Sequence, residues 1–275
     1  MRRSIGPLIT LLSDFGMSDH YVAAMKGVIL RICTDANLVD ISHLVGRHNI
    51  VEGAYLLAQS APYFPEGAIH LAVVDPEVGA ERRRVAIKGN RSIFVGPDNG
   101  LLIAAARAEG IMKAVNITNR DYMLHEVSST FEGRDVFASV AAYLALGLDV
   151  ENLGPEVSDL VDPVWAQSER LNGEFRGRIV HIDHFGNLIT NIPVAYVNQW
   201  QTQMAVEVGL NGRQNAAIFV ESYAEARKDG LVVLVGSGGL IEIAVNRGSA
   251  QAKLSAELAD RVTIRFAPSQ SDTRQ

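Results

Sequence analysis

Ala68-Ile-His-Leu-Ala-Val-Val74 runs directly into Asp75-Pro-Glu-Val-Gly79. The first seven residues are almost continuously apolar and are bounded by turn formers, Pro65-Glu66-Gly67 before and Asp75-Pro76 after. They read as a central strand covered on both faces, which empties at its carboxyl end into an acidic, glycine-containing loop. Working outward, the same unit recurs. Pro7 to Leu12 reads as a buried strand released into Ser13-Asp14-Phe15-Gly16. Ser92 to Val95 reads as another, running into Gly96-Pro-Asp-Asn-Gly100. Between and after them fall helical patterns. Val22, Met25, Ile29 and Ile32 recur at three- and four-residue spacing behind Asp19, which is placed to cap. Asn49 to Gln59 turns Ile50, Ala54, Leu57 and Ala58 to one side and ends at Pro62. Leu101 to Arg107 and Val136 to Leu146 complete the set. Leu38 to Ile41 and Val85 to Ile87 add two short strands. Strand, loop and helix in this rhythm predict an α/β domain over residues 5–166, a mostly parallel sheet covered by helices in a Rossmann-like arrangement.

After Leu153-Gly154-Pro155 the texture changes, with Pro163 and Ala166 to Asn172 as the expected linker. The segments Arg176–Ile182, Leu188–Thr190, Met204–Val208, Leu231–Val235, Leu240–Val245 and Val262–Phe266 are short, β-branched and separated by turns. Only Phe219 to Lys228 reads as helical. An all-β, barrel-like domain is expected over residues 173–268, and the polar tail after Pro268 is expected to fray.

The 275 residues are 48% hydrophobic and 20% charged, enough apolar content for a sizeable core. Acidic residues number 31 against 25 basic ones, a net charge of -6, which argues against a surface built to bind nucleic acid. Cys33 is alone, so an intrachain disulfide is excluded and a cysteine-built metal site is not expected. The apolar run near the amino terminus is interrupted at Ser13 and Asp14, too early for a signal or a membrane span. These features predict a cytoplasmic protein with a small-molecule ligand, no nucleic-acid partner and no membrane.

Ligands of open α/β sheets bind outside the carboxyl ends of the strands, which is where Asp14, Asp75, Asp98 and Asn99 fall. Each loop by itself is ordinary turn chemistry; the recurrence in three loops predicts convergence on one cleft. A carboxylate at a strand end suits a ribose diol. Phosphate machinery is missing, since neither G-x-G-x-x-G nor G-x-x-x-x-G-K-[ST] occurs. The glycine-rich Gly236-Ser-Gly-Gly239 lies between two strands and lacks a helix amino terminus. A nucleoside-like ligand fits better than a nucleotide diphosphate. The seven histidines contain no H-E-x-x-H, and Ser13, Ser237 and Ser249 lack a G-x-S-x-G elbow. Of Arg82-Arg83-Arg84, one guanidinium is expected beside Asp75, fixing it by fork geometry, and at least one is expected to be merely solvated. Glu132, Arg134 and Asp135 crowd more charge before the Val136 helix than capping requires. In Asp183-His-Phe-Gly-Asn187, Phe185 can stack on a flat heterocycle and Asn187 can pair with an adenine edge.

Taken in order, these stretches resemble the S-adenosylmethionine hydroxide adenosyltransferase family, hydrolytic relatives of the S-adenosylmethionine-dependent fluorinase and chlorinase. The similarity is carried by Ser13-Asp-Phe-Gly16, Met25-Lys-Gly27, Val74-Asp-Pro-Glu-Val-Gly79, Glu81-Arg-Arg83, Val95-Gly-Pro-Asp-Asn-Gly-Leu101, Ser129-Thr-Phe-Glu-Gly-Arg-Asp135, Asp183-His-Phe-Gly-Asn-Leu-Ile-Thr-Asn191 and Glu242-Ile-Ala-Val-Asn246. The resemblance implies an α/β domain followed by a β-barrel, assembled as a homotrimer with active sites between subunits. It implies that S-adenosylmethionine is the substrate, with no further cofactor and no metal, and that adenosine and methionine are the products.

Carried over residue by residue, Asp14 would hold the ribose diol, Phe185 and Asn187 the adenine with backbone near Val245 and Arg247, Ser237 the methionine carboxylate and Asp183 its amino group. The family's catalytic Asp-Arg-His trio falls on Asp75, Arg82 and position 132, where this chain has Glu132 in place of histidine. That departure leaves open hydrolysis with a substituted base, action on a related sulfonium, or binding without turnover. Halide transfer is the rival chemistry, disfavoured because Asp75 and Glu132 would repel an anion in a dry site.

Overall fold

Six strands form the sheet of the first unit: β1 (Leu8–Ser13), β2 (Asn37–Ser42), β3 (Ile69–Val73), β4 (Arg84–Gly89), β5 (Ile93–Pro97) and β6 (Ile111–Asn116). The computed structural model describes residues 6–162 and 167–266, and the chain divides into two compact units, Met1–Pro163 and Val164–Gln275. The strand order is β2-β1-β3-β5-β4-β6. Neighbours β2, β1, β3 and β5 are parallel, and β4 runs antiparallel to both β5 and β6. The apolar stretch around residue 70 is therefore central, with β1 and β5 on either side.

Side chains alternate across this sheet with the two-residue strand period. Ile9, Leu11, Ile69, Leu71 and Val73 face one way, against Met25 and Ile29 of α1 (Tyr21–Ile32) and the helix that follows Glu132. The opposite face meets α2 (Ile50–Ser60) and α3 (Ile103–Glu109), so that Leu12, Val74 and Leu101 all close on Gly53 of α2. Each fully buried Leu or Ile contributes about 1.5–3 kcal/mol, so these two faces hold the layers together. Asn49 caps α2 by accepting from Glu52 N. The residue before α1 is His20, and no side chain caps that helix, so the expected Asp19 cap does not form. The helix after Glu132 opens with a widened turn, Gly133–Ala138, before continuing as α4 (Ser139–Ala145).

The second unit holds β7 (Glu169–Leu171), β8 (Glu174–Ile182), β9 (Leu188–Pro193), β10 (Ala205–Leu210), β11 (Arg213–Phe219), β12 (Leu231–Val235), β13 (Leu240–Val245) and β14 (Arg261–Phe266). Their order is β14-β10-β11-β12-β13-β9-β8-β7, and β14 also pairs with β8, closing the sheet into a barrel. Phe175, Trp200 and Phe219 pack in its core beside Val206, Val208 and Ile243. A short helix, α5 (Ala250–Leu254), precedes β14.

Two further expectations are corrected. The helix expected over Phe219–Lys228 is absent: Phe219 ends β11, and a capping box between Ser222 and Glu225 closes only a single turn, Tyr223–Glu225. Phe219 is held in β11 because that strand pairs with β10 and β12. Within the linker expected over Ala166–Asn172, Glu169–Leu171 forms β7 against β8; Pro163 and Ala166 lie outside the described residues, as does the tail after Pro268.

Candidate active site

The loops after β1, β3 and β5 leave the same edge of the sheet, but their polar residues do different work. Asp75 lies in the wall of a cavity of about 140 Å³ lined by Phe15, Tyr21, Val73, Val78, Thr130, Phe131, Glu132 and Gly133. Asp98 is buried and accepts from Arg83 Nε at 2.8 Å and from Val161 N at 2.9 Å, tying down a neighbouring segment. Asn99 donates to Val74 O at 2.8 Å and accepts from Leu101 N, shaping its own turn. Asp14 accepts from His48 N at 2.9 Å. Asp98 and Asn99 are spent on these structural bonds, and of the four, Asp75 lines this cavity.

Two glycines let the walls approach. Gly79 has φ +83°, and a Cβ there would stand 2.5 Å from Ser129 O, so the loop after β3 lies directly against the loop before Glu132. Gly133 faces the Phe15 ring, whose atoms would be 3.3 Å from an added Cβ. Phe15, Tyr21 and Phe131 form a mutually tilted aromatic cluster with centroids 5.1–5.9 Å apart.

Behind the cavity lies a chain of charges. Arg82 Nε donates to both oxygens of Asp75 at 3.0 Å, and Nη2 bonds Asp75 Oδ2 as well. The same Nη2 donates to Glu132 Oε2 at 2.5 Å, and Arg84 Nη2 bonds the other oxygen, Oε1. Asp75 and Arg82 side chains are each 4% exposed and Glu132 2%. Burial pushes the Glu132 carboxyl up, but the hydrogen bonds and charges of Arg84 and Arg82 outweigh it and hold it below the usual carboxylate value. Burial likewise works against the Arg82 cation, and its two carboxylates raise it instead. Arg82 Nη1 is buried with no partner among the described residues. All three arginines of the run are ion-paired: Arg82 to Asp75 and Glu132, Arg83 to Asp98 and Asp159, Arg84 to Glu132. The expectation that one would be merely solvated fails because each reaches at least one carboxylate, with Arg82 and Arg84 sharing Glu132.

Beneath the β1 loop, Ser13 Oγ bonds His43 Nδ1 at 2.7 Å, and His43 Nε2 lies 3.2 Å from Asp40 Oδ1. The atoms match a nucleophile triad, but Ser13 is fully buried, so no substrate reaches it. The relay fixes the loop that carries Asp14, with Gly16 N donating to His43 O.

In the barrel unit, Asp183 folds its carboxylate onto its own turn, accepting from Phe185 N and Asn187 N at 2.9 Å and from Asn187 Nδ2 at 2.8 Å. This turn presents Phe185 outward at 74% exposure. Because a carboxylate only accepts, Asn187 spends a donor there and keeps Oδ1 for other partners. Gln251 N of α5 donates to Gly186 O, which seats the turn against Ser249, while Arg247 is an exposed residue with φ +59°. Val245 ends β13, and Ser237 lies in the exposed turn at that strand's other end, separated from Val245 by the strand's length. Glu242, buried on β13, takes a hydrogen bond from Tyr223 OH, and its carboxyl is pushed up by burial. Among the described residues no group of three or more His, Cys, Asp or Glu is placed to hold a metal ion, and no helix is long and apolar enough to cross a membrane.

A Rossmann-like unit with an acid-arginine pair at the wall of an aromatic cavity, followed by a closed barrel that presents an exposed aromatic beside a buried amide on one turn, defines a two-domain class. Within that class, the SAM hydroxide adenosyltransferase N-terminal domain matches residues 9–154 and the corresponding C-terminal domain residues 177–263. This chain belongs to the SAM hydroxide adenosyltransferase family. It is 39% identical over 262 residues to the (R)-S-adenosyl-L-methionine hydrolase of Salinispora tropica, covering 94% of this chain and 97% of that one. It is 38% identical to the protein of the same name from Methanocaldococcus jannaschii, covering 96% and 98%. A crystal structure of an uncharacterized conserved protein from Thermotoga maritima superposes with a TM-score of 0.88 at 32% identity, covering 94% and 99%.

Proposed function

We propose that this protein hydrolyses S-adenosyl-L-methionine to adenosine and L-methionine. The observation that carries the reading is Asp75, fixed by the Arg82 fork in the wall of an aromatic cavity at the carboxyl edge of the sheet. Water attacks the ribose C5′. An O–C5′ bond forms, the C5′–S bond breaks, and its electron pair goes to sulfur, which leaves as the neutral thioether of methionine. The surplus water proton passes to Asp75 and on to solvent. A neutral leaving group needs no general acid, so the tasks left to the protein are alignment and exclusion of bulk water. Carboxylates are weak bases near neutrality, so orienting the water counts for more than removing its proton outright. The aromatic lining of Phe15, Tyr21 and Phe131 favours a sulfonium cation. The name borne by the Salinispora and Methanocaldococcus relatives supports the same substrate.

In this reading Asp14 holds the ribose diol, Phe185 stacks on adenine, and Asn187 Oδ1 accepts from its amino group, with backbone at Val245 and Arg247 completing the edge. Ser237 meets the methionine carboxylate, and Asp183 offers its remaining lone pairs to the amino group. A homotrimer with inter-subunit sites is the assembly that goes with it. Its support is that a cavity of about 140 Å³ is smaller than the roughly 300 Å³ at which drug-sized ligands begin to fit, so the α/β unit's own cavity is too small for the whole substrate. The test is incubation with S-adenosylmethionine, with and without excess chloride, and identification of the nucleoside. Adenosine at a chloride-independent rate is expected; 5′-chloro-5′-deoxyadenosine, or bound substrate without turnover, would overturn the reading.

A further inference from the structure

Arg84 belongs to no part of the mechanism above, yet it reaches into the charge chain behind the cavity. It opens β4, where its backbone is locked: its carbonyl accepts from Ile117 N at 2.7 Å, and it stands in register with Pro97 of β5. Its side chain is 34% exposed at the solvent edge, while the carboxylate it grips, Glu132, is 2% exposed. Both Glu132 oxygens are taken by guanidinium groups, Oε1 by Arg84 and Oε2 by Arg82.

We infer that Arg84 is a positioning residue for the hydrolytic reaction, neutralising Glu132 so that Arg82 stays committed to Asp75. The inference rests on the hydrolytic reading and adds a residue to it. The charge count makes the case. Asp75, Arg82, Glu132 and Arg84 together sum to zero. Without Arg84 two carboxylates share one guanidinium, and the dry cluster carries a net negative charge. The second carboxylate then competes with Asp75 for that one guanidinium, and the group that orients the water is no longer held in line by its fork. The net charge does not oppose binding, because the substrate is a cation. Removing Arg84 should therefore lower kcat and leave KM level or lower, whereas mere disruption of the site would raise KM. A neutral side chain at position 132 removes the charge that Arg84 balances, so its importance should vanish with Glu132.

The experiment compares Arg84→Met and Arg84→Lys in the native chain and in a Glu132→His background, by adenosine formation from S-adenosylmethionine. Arg84→Met is expected to lower kcat about tenfold or more with KM unchanged or reduced, and Arg84→Lys to recover most of the loss. In the Glu132→His background Arg84→Met should cost no more than about threefold. Equal losses in the two backgrounds, or a loss expressed in KM, would overturn the inference. A second readout needs no turnover: carbon NMR of labelled Glu132 should show its pKa rising by about one unit or more in Arg84→Met. A carboxyl that does not shift overturns the inference even if no adenosine forms, whereas an absence of adenosine from the native protein is the separate result that overturns the hydrolytic reading on which the inference rests.

Discussion

Asp75 and Arg82 are seven residues apart and meet as a fork because the chain turns back at Gly79 between them. If Asp75 orients the water, Asp75→Asn keeps its shape and loses its charge, and kcat should fall about 10²–10⁴-fold while adenosine binding changes by no more than about threefold. Product analysis beside adenosine calorimetry separates the outcomes, and equal loss in both would make Asp75 only the anchor of Arg82. Glu132 supports a prediction about pH. Its carboxyl is held below the ordinary value despite burial, so it stays ionised as pH falls toward that value, and its pairing with Arg82 and Arg84 weakens only below it. The pH profile of kcat/KM is therefore expected to stay level from pH about 7 to about 5, and a limb centred within that window would sink the assignment. Glu132→His should retain turnover at the native rate or faster, and should add such a limb, since histidine titrates near pH 6.5. Asp75, Arg82 and Glu132 were legible because each sits in a short dense motif. Arg84's partner lies 48 residues away, and Ser13 finds His43 across 30 residues. Pairings of that span are set by strand order, which residue type does not announce.

At the scale of elements, the loop after β3 and the loop before Glu132 work as a pair because Gly79 lets them touch. A Cβ there meets Ser129 O at 2.5 Å and must also adopt φ +83°. Gly79→Ala is expected to destabilise the fold by about 2 kcal/mol from backbone strain alone. For a domain of this size that corresponds to a fall in Tm of about 4–8 °C, and the displaced loops should also lower kcat. A calorimetric scan beside a rate assay checks it, and an unchanged Tm would show that the contact relaxes freely. The strands that read clearly from the sequence were those buried on both faces, β1, β3 and β5, where the apolar run is itself the signal. β6 did not: Ile111 and Met112 are exposed at the sheet's edge, so hydrophobic patterning hardly marks it. β11 carries Arg213, Gln214 and Asn215 and owes its conformation to β10 and β12 on either side. Where a helix is expected over Phe219–Lys228, the Ser222–Glu225 capping box closes only one turn before β12.

For the whole molecule, the layered α/β/α unit depends on a buried row that crosses three parallel strands in register, Thr10 of β1, His70 of β3 and Phe94 of β5. Thr10 Oγ1 bonds His70 Nδ1 at 2.8 Å, the His70 ring stacks on Phe94 at 5.0 Å, and Nε2 has no partner among the described residues. Its place in the row makes His70 part of the core. Burial pushes its pKa down to about 4. The folded chain therefore refuses a proton that the unfolded chain accepts between pH about 6.5 and about 4. The sign follows directly: stability is fully present above the unfolded value, falls as pH drops through this window, and stops falling on this account once the folded histidine also protonates. A difference of about 2.5 pKa units corresponds to about 3 kcal/mol at the acid end. Urea unfolding followed by circular dichroism at a series of pH values should show that decline in the native protein. His70→Gln, which cannot titrate, should start lower at neutral pH because it loses the ring stacking, but its stability should fall with a slope about one proton shallower. Parallel slopes in the two proteins would mean that His70 already takes up its proton in the folded state, and that the row across the sheet tolerates a charge at its centre.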